Sequence, residues 1–77
     1  MSAITFYTKP GCTLCLEVLE ALRMLDVNFD TVDISTDQSL QAEFGSLVPV
    51  VEVDGNPVFL GGMDPASLPE LLGPLSL

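Results

Sequence analysis

Cys12 and Cys15 are the only cysteines of the chain, and they stand three apart, directly after Thr8-Lys9-Pro10-Gly11. A disulfide between them closes so small a loop that it removes little entropy from the unfolded chain, which makes it a poor staple. The pair therefore reads as reactive. In thiol–disulfide exchange the thiolate is the nucleophile, so the attacking cysteine needs a feature that lowers its pKa. A helix starting at the pair would supply one, because unpaired N–H groups and the helix dipole favour negative charge there. Lys9, one of two basic residues, adds a positive charge three residues upstream. On this reading Cys12 is exposed and attacks. Cys15, one turn further along and leaning to the core, resolves the mixed disulfide. The absence of histidine excludes a Cys-His nucleophile. A zinc site wants four ligands and finds two here, so only a site shared between two copies stays open for a metal. Two half-buried thiols with no redox role are the remaining alternative. Glu17 is open as well: a first-turn carboxylate favoured by the helix dipole, or a proton relay.

The surrounding elements must hold this pair. Ala3 to Tyr7 is short and β-prone and ends in the turn cluster. A helix is expected over 13–25, with Cys15, Val18, Leu19, Leu22 and Leu25 on one face and Glu17, Glu20 and Arg23 opposite. Phe29 to Ile34 forms a second strand, with Phe29, Thr31 and Asp33 on one side. Ser35 and Gln38 match a capping box for a short helix that points Leu40 and Phe44 inward and stops at Gly45. Val50 to Val53 and Val58 to Leu60 are strands joined by the Asp54-Gly55 turn, and Pro57 places the last strand at an edge. Asp64 and Pro65 read as N-cap and first residue of a final helix. Its apolar stripe is Leu68, Leu71 and Leu72, and Gly73-Pro74 ends it. The order β-α-β-α-β-β-α predicts an α/β domain. A right-handed parallel βαβ unit is extended by a hairpin into one mixed four-stranded sheet with helices on both faces.

Length and charge narrow the function. At 77 residues the chain forms one domain, and its 48% of hydrophobic residues suffice for a thin core. The net charge of −9 repels phosphates and anionic lipids, which sets nucleic acids and membrane surfaces aside. Met1-Ser2-Ala3 leads straight into the first strand without the charged region of a signal peptide, and no apolar run spans a bilayer. A cytoplasmic monomer is expected.

Tyr7-Thr8-Lys9-Pro10-Gly11-Cys12-Thr13-Leu14-Cys15 resembles the active-site segment of glutaredoxins. Val48-Pro49 is similar to the cis-proline loop of the thioredoxin superfamily. Leu60-Gly61-Gly62-Met63-Asp64 resembles the glycine-pair segment that binds the γ-glutamyl end of glutathione. The motifs occur in family order along the whole chain, and the resemblance implies a thioredoxin fold of the minimal glutaredoxin type. It implies further that Pro49 is cis, that the Val48 backbone pairs with an incoming peptide or glutathione, and that Lys9 meets the glycyl carboxylate. Asp64 and the adjacent N–H groups would hold the γ-glutamyl end, although Asp64 also reads simply as a helix cap. Three positions depart from the pattern. Thr13-Leu14 replaces the usual Pro-Tyr, Leu47 replaces a threonine, and Pro65 replaces a second aspartate. The site is thereby more apolar, with Leu14, Leu47, Val48 and Met63 around it, which favours a protein or peptide partner.

The expected function is a thiol–disulfide oxidoreductase acting on protein or glutathione mixed disulfides, with no bound cofactor and with glutathione as co-substrate. One alternative is a redoxin recharged by thioredoxin reductase, a flavoprotein, that donates electrons to a reductase such as ribonucleotide reductase. The aromatic-Ser-Gly-Phe-Arg ending of those redoxins is missing here. A different class of alternative is a non-catalytic module that binds a peptide or an iron–sulfur cluster.

Overall fold

The computed structural model describes residues 3–72 of the chain. Its elements are β1 (Ile4–Thr8), α1 (Thr13–Met24), β2 (Asp30–Asp33), α2 (Gln38–Phe44), β3 (Val50–Val53), β4 (Asn56–Phe59) and α3 (Leu68–Leu72), with 3₁₀ turns at Ile34–Thr36 and Pro65–Ser67. The strands form one four-stranded sheet in the order β2-β1-β3-β4. β1 pairs parallel to β2 and antiparallel to β3, and β3 pairs antiparallel to β4. The architecture is the expected α/β fold of thioredoxin-like proteins, an open mixed sheet with helices.

Strand alternation sorts the side chains onto two faces. Ile4 and Phe6 of β1, Val51 of β3 and Phe59 of β4 join Cys15, Val18 and Leu22 of α1 and Leu68 and Leu72 of α3 in the larger core cluster. Val50 and the half-buried Tyr7 face the other way, toward Phe44 and Leu40 of α2 and toward Ile34. Tyr7 stacks on Phe44 with ring centroids 4.4 Å apart, while Phe6 meets Phe29 edge-on at 6.4 Å. Burying one such side chain contributes about 1.5–3 kcal/mol.

Several boundaries differ from the sequence expectation. The N-cap of α2 is Asp37, whose Oδ1 accepts the N–H groups of Ser39 and Leu40 at 2.8 and 3.2 Å. Ser35 is not the cap, because its own N–H and hydroxyl donate to Asp33 at 2.9 and 2.7 Å. Carboxylates four residues apart thus cap two successive turns. Gly45 does end α2 but in right-handed geometry, because the N–H groups of Leu47 and Val48 both fold back onto the Phe44 carbonyl. α1 stops at Met24 with Leu25 as its cap, and its first turn holds no acidic residue. Glu17 therefore lies one turn too deep for the dipole role expected of it. Strand β2 excludes Phe29 and Ile34 and is mostly exposed, as suits an edge. Strand β4 begins two residues early at Asn56, and Pro57 takes an edge position opposite Glu52. Leu71 is 37% exposed while Leu68 and Leu72, about one turn apart, are buried, so the buried stripe of the last helix is narrower than expected. The expected stop at Gly73-Pro74 lies outside the described residues.

The hairpin turn has positive φ at both Asp54 (52°) and Gly55 (84°), which matches the turn favoured between twisted strands. Asp54 also fastens the start of β1: its N–H donates to the Ala3 carbonyl, and its Oδ1 accepts the Ala3 N–H, both at 2.8 Å.

Candidate active site

Three loops meet at one end of the sheet. β1 runs out of the sheet at Thr8 toward the cysteines. Val50 of β3 lies opposite Tyr7, so Val48-Pro49 enters at that same end. Phe59 of β4 lies opposite Val51, so Leu60 to Asp64 leaves there too. Crevices beyond the carboxyl ends of strands are where open α/β sheets bind ligands.

Gly11 has φ +77°, a conformation that an L side chain rarely adopts. It turns the chain from Pro10 into the N-terminus of α1, whose N-cap is Cys12. Cys12 and Cys15 are joined by a disulfide with their Cα atoms 5.2 Å apart. The Cys12 Sγ accepts the backbone N–H of Cys15 at 3.2 Å, so a sulfur occupies the capping place usually held by an oxygen. Cys12 is half-buried and Cys15 is 2% exposed. One sulfur is thus reachable from solvent and the other sits beneath it in the core.

The Val48–Pro49 peptide bond is cis, and the Pro49 side chain is fully buried. Val48 is half-buried between the two core clusters. Its N–H donates to the Phe44 carbonyl at 3.0 Å and is already used within the loop. The Gly61 N–H donates to the Leu47 carbonyl at 2.8 Å. A Cβ at Gly61 would lie 2.8 Å from the Leu47 oxygen and closer still to the Val48 oxygen. Gly61 is therefore required for its lack of a side chain at a close backbone approach. Gly62 is exposed, with nothing within 4 Å of where a Cβ would stand.

The charged candidates are engaged locally. Lys9 is exposed and its Nζ donates to the Gly45 carbonyl at 3.1 Å, closing off the end of α2. Asp64 Oδ1 accepts the Ala66 N–H at 2.9 Å, and the Asp64 carbonyl accepts the Ser67 hydroxyl at 2.7 Å. Asp64 is thus a cap, as one of its two readings held. Leu14 and Met63 are 42% and 39% exposed, and Leu47 is 39% exposed. The Met63 Sδ accepts the Leu60 N–H at 3.5 Å, which folds the thioether over its own turn.

A polar contact that the sequence did not signal lies behind the site. The Tyr7 hydroxyl donates to Glu52 Oε1 at 3.0 Å. Burial pushes the Tyr7 hydroxyl above its usual pKa, and the Glu52 hydrogen bond and the nearby Glu52 and Glu43 charges add to this. Tyr7 lies opposite Val50 and Glu52 opposite Thr5, so the pair is diagonal across two strands and visible only once the register is known. Among the described residues, no group of three or more His, Cys, Asp or Glu side chains is placed to hold a metal ion. No helix of the described residues is long and apolar enough to cross a membrane.

Comparison with known proteins agrees with this geometry. A solved protein from X. campestris superposes with a TM-score of 0.80 at 29% identity, covering 94% of this chain and 97% of that one. A glutaredoxin from Archaeoglobus fulgidus superposes with a TM-score of 0.69 over 94% of this chain and 87% of its own, and at 22% identity it speaks for the fold alone. An uncharacterized glutaredoxin-like 8.6 kDa protein in the rubredoxin operon of Clostridium pasteurianum is 30% identical over 90% of this chain and 96% of its own length. An uncharacterized protein of Mycobacterium tuberculosis is 36% identical over 68% of this chain. The match spans 63% of that relative's length. Residues 3–73 match the family described as Glutaredoxin-like domain (DUF836). The chain belongs to the glutaredoxin-like family and carries that family's CxxC pair as a disulfide.

Proposed function

We propose that the protein is a dithiol oxidoreductase that reduces disulfides of proteins, or mixed disulfides with glutathione, in the cytoplasm. The observation that carries this reading is the pairing of a half-exposed Cys12 sulfur at a helix N-cap, receiving the Cys15 N–H at 3.2 Å, with a buried Cys15 beneath it. In the reduced protein the same N–H and the helix dipole stabilise a Cys12 thiolate. That thiolate attacks one sulfur of the substrate disulfide, forms a mixed disulfide and expels the other sulfur as a thiolate. Cys15 then gives up its proton and attacks the Cys12 sulfur. The Cys12–Cys15 disulfide forms and the second substrate thiol leaves. Two electrons pass from the protein to the substrate. Two thiols of glutathione, or one flavoprotein disulfide reductase, restore the dithiol.

An extended chain docks beside the disulfide against the Val48-Pro49 loop, pairing with the Val48 carbonyl. Lys9 donates once to Gly45 and Asp64 Oδ1 accepts once from Ala66, so two ammonium N–H groups and Oδ2 stay open to glutathione. The exposed apolar side chains of Leu14, Leu47 and Met63 beside the disulfide favour a protein as the main substrate. The test is to oxidise the protein and follow NADPH consumption with glutathione plus glutathione reductase, or with thioredoxin reductase, in the presence of insulin as a disulfide substrate. Turnover with either system is expected, and turnover with glutathione alone would make Lys9 and Asp64 binding residues. No acceleration of insulin reduction over the protein-free rate, with either donor or with dithiothreitol, would remove the oxidoreductase reading.

A further inference from the structure

A second surface leads away from the disulfide along α1. Glu17, Glu20, Ala21 and Met24 form one wall of a groove, and Pro65 and Pro69 lie on the other. Its volume is about 550 Å³, within the range of sites that bury ligand-sized groups. The lining is almost entirely apolar, with the two glutamates as its main polar groups. Met24 is 85% exposed, a high value for a large apolar side chain. Leu14 lies three and seven residues before Glu17 and Ala21, hence on the same face of the helix. The lining begins at Glu17, about 7.5 Å along the axis from Cys12 and round the helix from it. Met63 and Asp64 immediately precede Pro65 on the opposite wall.

Resting on the oxidoreductase reading, we infer that this groove seats an extended, apolar and basic segment of the disulfide-bearing substrate protein. Charge argues for the occupant. The chain carries 11 acidic and 2 basic residues, and Glu17 and Glu20 rim an otherwise apolar floor. An apolar segment fills such a floor, and lysine or arginine beside it meets the rim. An acidic segment meets repulsion from the rim and from the whole surface. Reach argues for continuity with the disulfide. Cys12 to Leu25 spans about 20 Å along a helix, which about six extended residues cover. A substrate strand that places its cysteine at Cys12 reaches the groove by crossing the exposed Thr13 and Leu16 side of α1, which adds about two or three extended residues to that span.

The experiment uses the reduced full chain and three synthetic peptides, each with one cysteine capped by the chromophore 5-thio-2-nitrobenzoate. One is short and neutral, one carries a leucine-lysine extension, and one a leucine-glutamate extension. Second-order release of the chromophore is followed in stopped flow at low and high salt, and the protein's mass is measured over the same concentrations. The basic extended peptide is expected to react about tenfold faster than the acidic one at low salt, with the gap shrinking in high salt. Met24→Ser and Glu20→Gln should slow only the basic extended peptide, and Glu20→Lys should speed the acidic one. The short peptide should be unchanged by all three variants.

Equal rates for the extended peptides would overturn the proposal. So would a basic advantage that survives Met24→Ser and Glu20→Lys, since it would then belong to overall charge. A protein that dimerises, and loses this in Met24→Ser, would hand the groove to a second copy and also overturn the proposal. Absence of release from every peptide, the short one included, would sink the oxidoreductase reading itself, and the inference with it.

Discussion

The Gly61 N–H and the Leu47 carbonyl are 2.8 Å apart, and through this one bond the segment after β4 is clamped to the loop that carries the cis Pro49. The two loops lie too close for any side chain at position 61. Gly61→Ala should therefore push the Leu47-Val48 carbonyls outward or open the clamp, at a cost of about 1–3 kcal/mol. Urea unfolding measures the stability loss. If the Val48-Pro49 loop docks the substrate as proposed, insulin reduction should fall more than reactivity toward a small disulfide, because that loop moves while Cys12 stays. Gly62→Ala, with open space around it, should change neither, and equal losses in both variants would contradict the clamp.

The exposures of Cys12 and Cys15 assign different outcomes to their replacement. Cys12→Ser should abolish exchange, since the remaining thiol is 2% exposed. Cys15→Ser should still attack, and should accumulate mixed disulfides with substrate, detected as an added mass that dithiothreitol removes. Mixed-disulfide accumulation by Cys12→Ser, with none in Cys15→Ser, would reverse the two roles.

Tyr7 provides a signature at high pH. Its folded-state pKa is raised above the ordinary value of 10.0, first by burial and then by Glu52. The protonated hydroxyl is favoured in the fold, so its contribution to stability is fully present below that value and is lost as pH rises through the folded pKa. Tyr7→Phe should cost about 0.5–1.5 kcal/mol near neutral pH. The difference from the parent should shrink as pH climbs above about 10. Denaturant unfolding over a pH series measures this, and a constant difference would argue against the Tyr7–Glu52 bond.

Asp33 should titrate below its ordinary value of 3.8, because the Ser35 hydroxyl and then the Ser35 N–H favour its charged form. Whatever this contributes to the turn is present above the unfolded value and is lost as pH falls through the lower folded value. Carboxyl NMR titration should show the depressed midpoint, and Ser35→Ala should move it up without restoring it fully, since the N–H contact remains.

The cap of α2 offers a direct contrast between neighbouring residues. Asp37→Ala should cost about 0.5–2 kcal/mol, because it removes the acceptor of the Ser39 and Leu40 N–H groups. Ser35→Ala should leave α2 intact, as followed by helical circular dichroism and urea unfolding. The reverse ranking would restore the capping box suggested by Ser35 and Gln38.

The sequence by itself determined much of this protein. The Cys12–Cys15 pair was legible because CxxC after a turn cluster is a local pattern. The element order was legible because alternation, helical spacing and the Asp54-Gly55 turn are properties of short windows. The local signals failed where two of them competed. Ser35 could cap a helix until Asp33 took its N–H, and Leu71 has the spacing of the stripe but stands at its exposed margin. Lys9 and Asp64 were assigned by type to a ligand, and the structure adds hydrogen bonds to the Gly45 carbonyl and the Ala66 N–H, partners that no spacing rule announces. Only the tertiary structure decided the diagonal Tyr7–Glu52 pair, the close approach of Gly61 to the Leu47-Val48 carbonyls and the acidic-rimmed groove between α1 and Pro65 to Pro69. Each joins segments distant along the chain, so each depends on strand register and helix packing, which the whole core sets together.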